Sequence, residues 1–168
     1  VVLKPAEFTS LTSLLFAEIC SDIGLPAGVV NVITGAGATG AALVKHEGVQ
    51  KIAFTGSTEV GKIIRKATAG SGKKLSLELG GKSPFIVFDD ADLERAMDAA
   101  VFMIFSNNGE RCTAGSRIIV QKTIYDRFVE TCAARAARLA VGDPLDEQTI
   151  IGPMISKEHL AKVRRYIE

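Results

Sequence analysis

Cysteine is scarce. Cys20, Cys112 and Cys132 are odd in number and widely separated in a chain of 168 residues. They form neither a disulfide framework nor the CxxC pairs of a zinc or dithiol site. Unpaired thiols fit a reducing, intracellular setting, and the expected location is cytoplasmic. Charge of one sign is also lacking: 20 Lys and Arg stand against 19 Asp and Glu, for a net charge of +1. The tightest basic clusters, Lys73-Lys74 and Arg164-Arg165, read as solvated surface, so neither a nucleic-acid nor a membrane partner is expected. No apolar run approaches the roughly 20 residues that cross a bilayer. No basic-then-apolar leader opens the chain. His46 and His159 show no metal spacing and read as surface or packing residues, and no metal is expected. The chain starts at Val1 inside a predicted strand and without Met, which suggests a fragment.

What is present is ordinary for a globular protein: 47% apolar and 23% charged residues. Length alone suggests one domain. Val1-Val2-Leu3 reads as a buried strand. Thr9 or Ser10 is placed to cap a helix with Leu11, Leu14, Leu15, Ile19 and Ile23 at helical spacing, stopped by Gly24 and Pro26. Val29 to Ile33 is a second strand, and Gly35, Gly37 and Gly40 open a short helix ending near Lys45. Lys51 to Thr55 is a third strand, followed by a helix from Thr58 to about Ala69. Leu75 to Leu79 is a fourth strand, broken by Gly80-Gly81. This alternation predicts an α/β fold, a parallel sheet covered by helices.

A second unit begins with a strand at Pro84 to Phe88. The acidic turn Asp89-Asp90-Ala91-Asp92 suits a helix N-terminus, and its spacing does not match a calcium loop. The next helix carries Leu93, Ala96, Met97, Ala100, Val101, Ile104 and Phe105 as one stripe. Arg117 to Gln121 is a strand. Ile124 to Ala140 is a helix with Phe128, Cys132, Ala136 and Leu139 inward, and a last helix starts near Ser156.

Four stretches carry candidate chemistry. Cys112 follows a helix pattern in a glycine-rich turn with Arg111 immediately before it. A cation beside an unsealed thiol favours the nucleophilic thiolate, although a single cysteine is more often buried packing. Gly35-Ala-Gly37-Ala-Thr-Gly40 matches GxGxxG, but the acidic residue expected about 20 positions on is missing, since Thr55 holds that strand end. Phe54-Thr55-Gly56-Ser57-Thr58-Glu59-Val60-Gly61 also joins a strand to a helix, and its hydroxyls suit an anion at the helix N-terminus. Either glycine pattern is equally a plain strand-to-helix turn. Glu78 is a carboxylate among leucines at a strand end. Desolvation there would fit it to act as a base near neutral pH, while an edge-strand glutamate facing water is the simpler alternative.

Phe-Thr-Gly-Ser-Thr-Glu-Val-Gly at 54 to 61, Leu-Glu-Leu-Gly-Gly-Lys-Ser-Pro at 77 to 84 and Gly-Glu-Arg-Cys at 109 to 112 together resemble the aldehyde dehydrogenase superfamily. The match runs from Val1 to Glu168, with the glutamate and cysteine at the family's spacing. The resemblance implies a Rossmann-like sheet with helices on both faces, followed by the start of a second α/β catalytic domain. Residues 1–80 would be the second half of the NAD-binding domain and 81–168 the front of the catalytic domain.

It further implies that Cys112 attacks an aldehyde, that the thiohemiacetal gives hydride to NAD, and that Glu78 activates the water that hydrolyses the thioester. The Cys112 backbone N–H would be half of an oxyanion hole. Cofactor contacts would come from Lys4 and Glu7 at the adenosine ribose, Gly35 near the adenine, Gly56 and Ser57, and Leu79 against the nicotinamide. A carboxylate at Glu7 favours NAD over NADP.

Two departures stand out: Glu110 replaces the usual Gln, and Arg111 replaces a small or apolar residue. Glu-Arg-Cys-Thr-Ala-Gly-Ser-Arg resembles the hydroxymuconic semialdehyde dehydrogenases, where Arg111 could meet a substrate carboxylate or else sit in a structural salt bridge. Arg117 is assigned to structure. The family's second oxyanion donor, an Asn, would precede Val1. Another ribose-binding Glu and the strand used for oligomers would follow Glu168, and the complete protein would be a homodimer or homotetramer. The isolated chain is therefore expected to be poorly folded or inactive. Two rival readings are a non-catalytic, crystallin-like dinucleotide binder, and an acylating enzyme that passes the thioester to coenzyme A. Cys112 and Glu78 together argue against the first, and Glu78 against the second.

Overall fold

Strand and helix alternate as the sequence leads one to expect, giving a mixed α/β chain in the computed structural model, which describes residues 1–168. The elements fall into two compact units, Val1–Glu78 and Leu79–Glu168.

The first unit runs β1 (Val2–Leu3), α1 (Leu11–Asp22), β2 (Asn31–Val32), α2 (Gly37–Lys45), β3 (Lys51–Gly56), α3 (Thr58–Ala67) and β4 (Lys74–Leu79), whose last residue enters the second unit. β1 and β2 pair in parallel, Val2 with Asn31 and Leu3 with Val32. β3 pairs with β4. The strands thus form separate pairs within this chain instead of one continuous sheet.

Several local expectations change. β2 is shorter than Val29–Ile33 because the Val29 N–H is taken by a turn to the Pro26 carbonyl at 3.2 Å. The strand at Val1–Leu3 is present but not buried: Val1 is 84% exposed, and Val2 and Leu3 are exposed too. α1 buries none of its residues, and Ser10 stands at its N-cap without a side-chain bond. Apolar periodicity reports which face is destined for contact, and nothing within residues 1–168 covers this one. α3 is the exception in this unit. Its buried positions Gly61 and Ile64, with Thr68 one turn on, form a stripe at helical spacing. The Thr68 hydroxyl is satisfied by donating to the Ile64 carbonyl at 2.9 Å.

The second unit holds the better-packed core. β5 (Pro84–Val87) and β6 (Arg117–Val120) pair in parallel, Phe85 with Ile118 and Val87 with Val120, joined through α4 (Leu93–Phe105). Alternate side chains of a strand face opposite sides. Phe85, Val87, Ile118 and Val120 accordingly pack inward, whereas Ile86 and Ile119 are exposed. Val87, Met97, Ala100 and Phe128 form the buried cluster, with Phe128 supplied by α5 (Tyr125–Ala136).

The acidic turn closes the open ends of this layer. Asp92 caps α4 by accepting from the Arg95 N–H at 3.3 Å. Asp89 accepts from the Gln121 side chain at 2.6 Å and the Thr123 hydroxyl at 3.1 Å. Arg135 on α5 pairs with Glu94 and Asp98, one turn apart on α4. α5 ends at Ala136, short of the expected Ala140, because the Ala140 carbonyl accepts from Ile150 and Ile151, and Val141 bridges Ile151. α6 (Lys157–Ile167) is capped by Ser156, which accepts from the His159 N–H at 3.1 Å. No helix is long and apolar enough to cross a membrane.

Three outcomes follow. Phe128→Ala removes a side chain that is 2% exposed and should cost about 3–5 kcal/mol. Ile119→Ala, on the exposed face, should stay within about 0.5 kcal/mol in chemical denaturation. The Glu158 carboxyl is held below its ordinary value of 4.5, first by its own backbone N–H and then by the Ser156 hydroxyl. A depressed carboxyl contributes stability above its ordinary value, and that contribution is lost as pH falls through the lowered one. Circular dichroism should show α6 fraying progressively below pH 4.5, and Glu158→Gln should flatten that dependence.

Candidate active site

Cys112 owes its position to the way α4 ends. Asn107 and Asn108 adopt φ of 52° and 55°, and Gly109 follows at 73°. Left-handed backbone is costly for most L-residues, and asparagine and glycine tolerate it best. A Cβ on Gly109 would also lie 2.9 Å from the Ile104 carbonyl oxygen. The chain then makes a four-residue turn, Arg111 to Ala114, closed by the Ala114 N–H on the Arg111 carbonyl at 3.0 Å.

Cys112 lies within that turn, exposed and unpaired, while Ala114 and Gly115 just beyond are buried. Its N–H has no acceptor within the chain. Gly81 passes close by, at a distance where an added Cβ would meet the Cys112 carbonyl oxygen at 3.5 Å. A thiol and a free N–H on one exposed turn can bind an electrophilic carbonyl and hold the oxyanion that results.

Arg111 departs from one of the two expectations set for it, the structural salt bridge. It makes no salt bridge; its guanidinium lies 5.2 Å from the centre of the Phe102 ring and donates to the Ser106 hydroxyl at 3.2 Å. Such stacking uses the face of the guanidinium and leaves most of its five N–H donors free. Arg117 donates to the Lys82 carbonyl at 2.9 Å, tying β6 to the start of β5. His159, read from the sequence as surface or packing, instead pairs through Nε2 with the Glu110 carboxylate at 2.9 Å. No sequence signal joins those two, because the contact depends on where α6 begins.

In the first unit, Lys4 and Gly35 come together. The Lys4 ammonium donates to the Gly35 carbonyl at 2.7 Å and the Pro5 carbonyl at 2.6 Å, leaving one N–H. Gly35, at φ 147°, has no room for a side chain, since a Cβ there would lie 2.1 Å from the Thr39 hydroxyl oxygen. Glu7 is exposed in the turn after β1. Gly56 is fixed by the Phe54 ring, which a Cβ would strike at 2.5 Å. Ser57 caps α3, its oxygen accepting from the Val60 N–H at 3.2 Å. The hydroxyl proton of Ser57 and the first N–H groups of α3 are left for an anion, so this end of the helix fits a pyrophosphate. Leu79 is half-buried at the end of β4. Of the two alternatives for Glu78, the structure shows the water-facing one: it is exposed at the end of β4 and not desolvated within this chain.

The aldehyde dehydrogenase family model matches residues 1–168. A 5-carboxymethyl-2-hydroxymuconate semialdehyde dehydrogenase from Escherichia coli is 54% identical over 167 residues, covering 99% of this chain and 35% of the relative. Among solved structures, an NAD-dependent aldehyde dehydrogenase from Sinorhizobium meliloti superposes with a TM-score of 0.97 at 46% identity, over 99% of this chain and 33% of that one. An NADP-dependent enzyme from E. coli gives a TM-score of 0.94 at 47% identity, over 99% and 35%. The chain thus spans about a third of the length of these relatives. Matched along its entire length, it belongs to the aldehyde dehydrogenase family.

Proposed function

We propose that this protein oxidises an aldehyde to a carboxylic acid with NAD as hydride acceptor, through a thioester on Cys112. The observation that carries the reading is the exposed Cys112 thiol beside its own unpartnered N–H. In this scheme the thiolate adds to the aldehyde carbon, and the N–H steadies the oxyanion. Bound NAD supplies the hydride acceptor that turns the thiohemiacetal into a thioester. Glu78 takes a proton from water, the hydroxide adds to the acyl carbon, and the carboxylate leaves as the Cys112 thiolate is restored. Glu78 can work this way only when covered, and the reading assigns that cover to the remainder of a full-length enzyme.

Residues 1–80 are assigned to the NAD-binding domain and 81–168 to the front of the catalytic domain. Lys4 and Glu7 would hold the adenosine ribose, Gly35 the adenine edge, Gly56 and Ser57 the pyrophosphate, and Leu79 the nicotinamide. The Glu7 carboxylate, which would repel a 2′-phosphate, supports NAD over NADP. Arg111 is assigned to a carboxylate on the substrate, and the name of the E. coli relative, a carboxylated semialdehyde dehydrogenase, supports a substrate of that kind. The three free thiols support a cytoplasmic setting. A homodimer or homotetramer is proposed for the full enzyme.

A chimera in which this chain replaces the matching 35% of the E. coli relative tests the scheme. It should reduce NAD with a carboxylated semialdehyde, and Cys112→Ser should abolish turnover. Glu78→Gln should slow turnover by about 10²–10⁴-fold while keeping a burst of about one NADH per site, because hydride transfer precedes hydrolysis. Full turnover by the Cys112→Ser chimera would overturn the proposal. The 168-residue chain alone should show no turnover.

A further inference from the structure

The residues leading into the turn that carries Cys112 are tied at two points to one distant segment, Pro153 to His159. The Asn108 side-chain amide donates to the Pro153 carbonyl at 3.0 Å, and His159 Nε2 meets the Glu110 carboxylate at 2.9 Å. His159 is held by the start of α6, where its N–H binds the Ser156 hydroxyl. It therefore approaches Glu110 from a capped helix end instead of a free loop. Both side chains of the pair are about one-third exposed, at 32% and 37%. Arg111, the charged neighbour between Glu110 and Cys112, points elsewhere and is stacked on Phe102.

The consequence is electrostatic. Glu110 lies two residues before Cys112, no more than about 7 Å along the chain. A carboxylate free to swing toward the sulfur disfavours the thiolate, since like charges in proximity raise the cost of ionisation. We propose that His159 is a positioning residue that sequesters the Glu110 carboxylate and so keeps negative charge away from Cys112. The Nε2–H donates to the carboxylate whether the imidazole is neutral or charged. The catalytic meaning of this arrangement rests on the assignment of Cys112 as nucleophile, but the arrangement itself is measurable without turnover.

The test is the rate of iodoacetamide alkylation of Cys112 at neutral pH in the chimera with the E. coli relative, followed by mass spectrometry, with Cys132 as internal reference. Cys132 packs against the buried cluster, so its rate reports whether the second unit stays folded. His159→Ala should slow Cys112 by roughly threefold, the effect of one charge acting across about 7 Å of water, with Cys132 unchanged. His159→Gln, which keeps an N–H donor near the Nε2 position, should restore most of the rate. In a Glu110→Gln background, His159→Ala should have no effect on Cys112. A merely structural tie would slow or speed Cys112 equally in both backgrounds, and that result overturns the proposal. An unchanged rate in His159→Ala overturns it as well. The nucleophile assignment is read separately, from whether unsubstituted Cys112 outpaces Cys20 and Cys132.

Discussion

Left-handed backbone at Asn107, Asn108 and Gly109 is the constraint on which the arrangement around Cys112 depends. α4 is anchored in the core by Met97 and Ala100, so its direction is fixed by packing. Three successive residues of positive φ turn the chain sharply out of that helix, and the turn from Arg111 to Ala114 then leaves Cys112 in solvent. Ala114 and Gly115 return the chain to the buried layer at once, where Gly115 passes so close to Phe85 that a Cβ would meet it at 3.1 Å. The exposed thiol is thus held between a packed helix and a packed strand. Pre-organisation of this kind fixes a reacting group without needing motion to assemble it.

The second unit was largely legible in the sequence, because its elements bury what their periodicity marks. The stripe through Met97 and Ala100, the alternation in β5 and β6, and the caps at Asp92 and Ser156 all act within a few residues of where they are written. The exposed cysteine was legible for the same reason, through Asn and Gly at its helix end. The first unit was legible in order but not in burial. Val1 to Leu3 and the apolar positions of α1 carry core-like patterns, yet they lie exposed, since periodicity names a face and not what covers it. Glu78 is the same case, a carboxylate flanked by leucines whose strand face is open.

The contacts around the cysteine that sequence reading missed are long-range. Glu110 with His159 and Asn108 with Pro153 join residues brought together only by the path from α5 to α6. Arg111 on Phe102 spans a shorter distance, but it depends on α4 ending in a left-handed turn, so the guanidinium folds back over the helix it has just left. Residue type gave no hint of these pairings. Geometry alone selects among the carboxylates, rings and carbonyls that a charged side chain could reach.

The most direct measurement of the account is the alkylation rate of Cys20, Cys112 and Cys132 in the unsubstituted chimera with the E. coli relative, with and without NAD. An exposed thiol on a fixed turn should react well ahead of the half-buried Cys20 and Cys132, and NAD should alter the rate of Cys112 alone. Equal rates for the three thiols, indifferent to NAD, would contradict the assignment of Cys112 as the reactive centre.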